Sequence, residues 1–166
     1  MRDATASSRP RPRKSSPGIA CGMASWTTEV RSFLEAHRRG HLATVGADGT
    51  PHVVPICYAL DAAGLYVIAD RKPKRRPAAR LARLENLRRV PRAAVVVDEW
   101  DEDWTRLAWV MVRGPAHFLD DAAAHAAALA LLRARYPQYR EMPLDDPARH
   151  PIFRLSPERV TVWHAA

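Results

Sequence analysis

The sequence predicts a mainly β, α+β fold: a six-stranded antiparallel barrel with helices packed around it. Three observations predict it. The chain has 166 residues, 47% of them hydrophobic, which is enough for one packed core but short for two. Its periodicity runs in the order helix, three strands, short helix, two strands, helix, strand. The strands are mostly joined by tight polar turns, which suits hairpins better than a doubly wound parallel sheet.

The elements follow in order. Residues 1–25 are rich in Ser, Pro and Arg, lack hydrophobic periodicity and read as a disordered basic tail. Met23 offers an alternative start, and the absence of an apolar stretch argues against a secretory signal. The folded domain is expected over 26–166. Thr27 or Thr28 can cap a first helix, with Glu29 in its first turn. Val30, Phe33, Leu34 and His37 keep helical spacing until Gly40. His41–Val45 reads as a strand and Ala47-Asp48-Gly49-Thr50 as a turn. His52–Leu60 reads as one strand, with Pro55 marking an edge or a bulge. A turn at Asp61-Ala62-Ala63-Gly64 leads into Leu65–Ala69.

A basic loop with Lys72, Lys74, Arg75 and Arg76 comes next, punctuated by Pro73 and Pro77. A short helix is expected from about Ala78 to Arg89, with Leu81, Leu84 and Leu87 as its apolar stripe. Arg76, Arg80 and Arg83 are spaced to share one face. Ala93–Asp98 reads as a strand, Glu99–Thr105 as an acidic loop carrying Trp100 and Trp104, and Leu107–Leu119 as a long strand bent at Gly114-Pro115. Asp120 or Asp121 caps a helix to Tyr136, stopped by Pro137. Ile152–Trp163 reads as the last strand, interrupted at Ser156-Pro157.

Charge is concentrated. The net charge is +8, yet residues 71–92 hold ten basic side chains against Glu85, and residues 1–22 hold five against Asp3. The remainder is therefore acidic. A focused basic patch points to one anionic ligand more than to a general polyanion surface. Lys14, Lys72 and Lys74 are the three lysines, so two of them sit in one short loop. Donors there can hold a phosphate through charge-assisted hydrogen bonds, aided by the following helix start. A solvated basic helix is the equally weighted alternative. Nucleic acid is disfavoured because the tryptophans do not interleave with the basic segment. Cys21 and Cys57 fit no disulfide framework, so a reducing, cytoplasmic setting is expected. No apolar run reaches a membrane span. The histidines show no metal-ligand spacing. The acidic loop reads as solvated. No dinucleotide, P-loop, nucleophile-elbow or zinc-protease motif is present.

Several stretches resemble the pyridoxamine 5'-phosphate oxidase-like split barrels. Leu42-Ala43-Thr44-Val45, followed by Asp48 to Pro55, is similar to their opening hairpin. Asn86 to Arg92, followed by Val95-Val96-Val97-Asp98, is similar to their helix exit and next strand. Asp70 to Arg75 and Asp101 to Leu107 resemble an actinobacterial subgroup dependent on coenzyme F-420. The resemblance spans about Thr28 to Trp163. It implies a six-stranded split barrel that dimerises, with two cofactor sites at the interface. It implies an oxidoreductase passing a hydride from the deazaflavin F-420 to a small organic acceptor. The alternatives are FMN on the same fold, or a carrier that binds deazaflavin without turnover. It further implies that Lys72, Lys74, Arg75, Arg76 and Arg80 hold the cofactor phosphate. His52, Val54 and Pro55 would lie along the ring or its tail, and Asp98 and Trp104 would border the site. No side chain stands out as an obligatory acid or base. His52 and Tyr58 are the nearest proton donors, with an ordinary strand residue as the alternative for His52.

Overall fold

The computed structural model describes residues 26–70 and 81–165. The predicted tail at 1–25 and the predicted loop and helix start at 71–80 lie outside the described residues.

Helix α1 spans Thr28–Ala36, capped by the Thr27 hydroxyl, which accepts from the Val30 amide. Strand β1 (Gly40–Val45) pairs antiparallel with β2 (Pro51–Ile56) across a turn where Gly49 sits at φ +81°. Next come β3 (Ala59–Leu60), β4 (Leu65–Ile68), α2 (Ala82–Arg89), β5 (Arg92–Glu99) and β6 (Ala108–Phe118). Helix α3 (Ala122–Arg135) is capped by Asp121, whose carboxylate accepts from the Ala124 amide, and it ends before Pro137. Strands β7 (Ile152–Leu155) and β8 (Arg159–His164) close the chain.

All strand pairings are antiparallel, in the order β2-β1-β5-β6-β7-β4-β3, with β8 also on β6. The long β6 belongs to both halves of the curled sheet. Its first part carries β8 and its last part β7. Pro55 lies on β2, an end strand bonded to β1 alone, where a missing amide proton costs no ladder bond.

The strand count corrects the prediction: among the described residues eight strands stand where six were expected. Two predicted strands break, the first where the chain changes partner and the second where it bulges while staying on β6. Between β2 and β3 the chain passes from one half of the sheet to the other at Tyr58. Here the Tyr136 hydroxyl replaces a strand neighbour, accepting from the Tyr58 amide (3.1 Å) and donating to the Tyr58 carbonyl (2.9 Å). Between β7 and β8, Ser156–Glu158 bulges over Gly114. The Ser156 amide reaches the Pro115 carbonyl and the Glu158 amide the Arg113 carbonyl. A Cβ on Gly114 would stand 2.0 Å from the Ser156 carbonyl oxygen, so glycine is required there.

Two apolar clusters explain the curl. One fills the concave side, joining Leu34 of α1 and Leu84 and Leu87 of α2 to Leu42, Val95, Val112, Phe153 and Leu155. The other lies between α3 (Leu129, Leu132) and the convex side of β4 and β7 (Tyr66, Ile68, Ile152). Strands β4 and β7 are therefore buried on both faces, and β4 has all four residues buried. Among the described residues no helix is long and apolar enough to cross a membrane.

Candidate cofactor site

Lys72, Lys74, Arg75, Arg76 and Arg80 lie outside the described residues, and the segment they belong to is flanked by Asp70 and by Arg83 of α2. Asp70 follows β4 and is 4% exposed. The Tyr139 hydroxyl donates to its Oδ2 at 2.8 Å. Burial first, and then the Asp70 charge, push the Tyr139 phenol well above its ordinary range. The strand end is held by histidines. His150 Nδ1 donates to the Ala69 carbonyl, and His125 Nε2 donates to the His150 carbonyl. On the other flank, Arg83 lies in the first turn of α2. Burial pulls its pKa down, while Asp70 and then Tyr139 oppose that shift. Its Nε is buried without a hydrogen-bond partner. A cation held this way beside a helix start is suited to an incoming phosphate. Arg83 was noted in the sequence only for its spacing with Arg76 and Arg80. The burial of Asp70, which gives Arg83 its setting, had no sequence signal.

The other predicted site residues divide between two faces of the sheet. His52 and Val54 face inward. His52 lies opposite Thr44, whose hydroxyl accepts from Asn86 Nδ2 at 3.1 Å, tying α2 to β1. His52 Nδ1 is buried and has no partner. Pro55 points to the opposite face, directly across from His41. His41 Nδ1 sits 3.4 Å from the Asp98 carboxylate, so Pro55, His41 and Asp98 come together. Trp104 is 70% exposed, in a short turn where the Asp103 carboxylate accepts from the Thr105 amide and hydroxyl. Tyr58 cannot serve as a proton donor to a substrate. It is fully buried, its hydroxyl bonds the Leu34 and His37 carbonyls, and burial pushes its phenol upward.

The face that carries Pro55 and Asp98 is the convex side of β2-β1-β5-β6-β8. Its outward residues include Val53, Ala43, Val96, Met111, Trp109 and Trp163, in an alternation set by the inward Leu42, Val95, Val97, Val110 and Val112. Trp109 and Trp163 are paired across β6 and β8, with ring centroids 6.3 Å apart and planes within 16°. Val53 is 61% exposed and Trp163 43%. The α3 helix covers the convex side of the other half; among the described residues, none covers this one. A cleft of about 260 Å³ opens nearby between α1 and the ends of β6 and β8. Its lining includes Phe33, Val110, Val162, Glu29 and His164. The arrangement offers a flat apolar and aromatic wall, an acid–imidazole pair at its edge, and, at the start of α2, the half-buried cation of Arg83.

Residues 26–164 match the family model described as pyridoxamine 5'-phosphate oxidase. No curated protein matches the sequence significantly. Among solved structures, a conserved hypothetical protein from Mycobacterium tuberculosis superposes with a TM-score of 0.68 at 23% identity, over 90% of both chains. A FAD-binding protein from Mesorhizobium loti has a TM-score of 0.60 at 29% identity, over 86% of this chain and 98% of its own. The heme storage protein HutZ from Vibrio cholerae has a TM-score of 0.62 at 17% identity, over 82% and 92%.

Proposed function

The chain belongs to the pyridoxamine 5'-phosphate oxidase family, and from that premise we propose that it is a homodimeric oxidoreductase using coenzyme F-420 to pass a hydride to a small organic acceptor. The observation that carries this reading is the open convex face. A five-strand surface that none of the described residues covers, bearing a stacked tryptophan pair, needs a cover, and a second copy with a flat ring between them supplies it. The cation set fits the cofactor's anionic part. Arg83 keeps an unpartnered Nε beside the basic segment, and Lys72, Lys74, Arg75, Arg76 and Arg80 are the proposed phosphate ligands. Pro55, Asp98 and Trp104 are the proposed border of the ring, while His52 and Val54, which face inward, are proposed to lie along the tail.

When bound, the deazaflavin would supply the hydride chemistry. The protein's part is to hold and orient. The Asp70–Tyr139 contact fixes the strand end before the basic segment, and Trp109 and Trp163 give the ring a wall and exclude water. FMN is the alternative ligand, and the likeness to a FAD-binding protein at 29% identity favours a flavin in general. The length of the basic segment suits the extended, polyanionic tail of F-420 better than one terminal phosphate. The cysteine usage supports a cytoplasmic setting.

The test is a fluorescence titration with F-420 and FMN separately, on wild type and a Lys72→Ala/Lys74→Ala variant. Micromolar F-420 binding, weakened at least tenfold in the variant, is expected. Preferred FMN binding would move the protein to the flavin branch. A Soret band on adding haem, with neither flavin nor F-420 bound, would overturn the reading. Binding of F-420 without turnover of any acceptor would make the protein a carrier.

A further inference from the structure

We propose that Arg113 and Arg159 form an oxyanion-binding site on the convex face, separate from the basic segment. Arg113 on β6 lies directly opposite Arg159 on β8, and both belong to the outward alternation. Like charges in directly opposed positions destabilise a strand pair. Arg92 joins them at this end: it is outward on β5, opposite Pro115, the second residue beyond Arg113. One carboxylate, Glu158, is present there, and its ion pair is with Arg92. Arg113 Nη2 makes one long bond to the Thr161 hydroxyl at 3.4 Å, and its Nε is buried without a partner. Leaving a buried donor unpaired is costly, and more so for a charged group.

Both costs have one remedy. A carboxylate or phosphate between the two guanidiniums would neutralise their repulsion. After a small rotation of the half-buried Arg113 side chain, it would also accept from the Nε edge that bidentate recognition uses. The site lies four residues along β6 from Trp109, roughly 13 Å at strand rise. It could therefore take the far end of an extended anionic tail or a free small oxyanion. The inference does not depend on the cofactor reading.

The experiment compares thermal unfolding of the full chain in chloride and in inorganic phosphate at matched ionic strength. It uses wild type, Arg159→Gln, Arg113→Gln/Arg159→Gln, and the remote control Arg149→Gln. In chloride, Arg159→Gln should melt at or above wild type, because repulsion is relieved. In phosphate the order should reverse, with the phosphate-dependent rise in Tm cut by at least half in both site variants and unchanged in the control. Wild-type and variant curves that keep the same separation in both salts would overturn the site. So would an equal loss of the phosphate effect in Arg149→Gln. Arg159→Gln alters an exposed side chain, so the test survives if the double variant folds poorly. F-420 and its tail-less deazaflavin fragment then separate the sources. A tenfold loss of F-420 affinity in Arg159→Gln, with the fragment unaffected, assigns the cofactor tail. No change in either assigns a free oxyanion.

Discussion

Replacing Tyr136 with phenylalanine removes one oxygen and leaves the ring in place. That oxygen serves both backbone groups of Tyr58 at the point where the chain crosses between the two halves of the sheet. The Arg38 carbonyl lies 2.7 Å from the same oxygen and shares its one proton with the Tyr58 carbonyl. Tyr58 is fully buried, so water cannot replace the lost partner without a rearrangement. Each stranded buried group costs about 1–3 kcal/mol. With partial relaxation, the pair should cost about 3 kcal/mol. For a chain of this size, each kcal/mol shifts Tm by roughly 2–4 °C, so a fall of about 6–12 °C is expected. Urea unfolding of wild type and Tyr136→Phe, followed by far-ultraviolet circular dichroism, measures the difference. An unchanged slope with a lower midpoint would show that the folded state is intact but weaker. A loss below about 1 kcal/mol would refute the claim that this hydroxyl serves as the missing strand neighbour.

Gly114→Ala should destabilise by about 3 kcal/mol or more, because its Cβ meets the Ser156 carbonyl at 2.0 Å and both sides are backbone; a midpoint within about 1 kcal/mol of wild type would mean the bulge is free to move. Asp145 makes a two-bond pair with Arg133, each bond 2.9 Å, and the Arg133 hydrogen bond holds its carboxyl below the usual range. A depressed carboxylate pKa contributes stability above its ordinary value near about 4, lost as pH falls through the folded value. The Tm gap between wild type and Asp145→Asn should therefore be present at neutral pH and close in strong acid; a gap that widens on acidification contradicts this. Met111→Glu, at the middle of the convex face, should give a monomer in sedimentation velocity while wild type gives a dimer. Equal masses for the two would remove the case for a second copy on that face.

Much of the fold was legible because its signals are local. The Thr27 and Asp121 caps, the turn at Asp48-Gly49 and the stop at Pro137 each bound an element within its own sequence window. The strand count was not, because the break at Tyr58 is completed by a hydroxyl 78 residues away. The second break left a partial trace in Ser156-Pro157. Its cause, the close approach of Gly114, is again tertiary. The site follows the same division. The outward placement of Pro55 and Asp98 can be read from alternation once the register is known. That none of the described residues covers this face depends on where α3 packs. Arg83 gains its role from a buried Asp70 thirteen positions earlier, and no short motif links them.

The most direct measurement is the F-420 dissociation constant of a Trp109→Ala/Trp163→Ala variant beside wild type. Both side chains lie on the convex face, outside the two core clusters, so the fold should persist by circular dichroism. Losing the aromatic wall should raise the dissociation constant at least tenfold, about 1.4 kcal/mol, in line with the contribution of a pair of ring contacts. An affinity within twofold of wild type would contradict the account and move the cofactor away from this face.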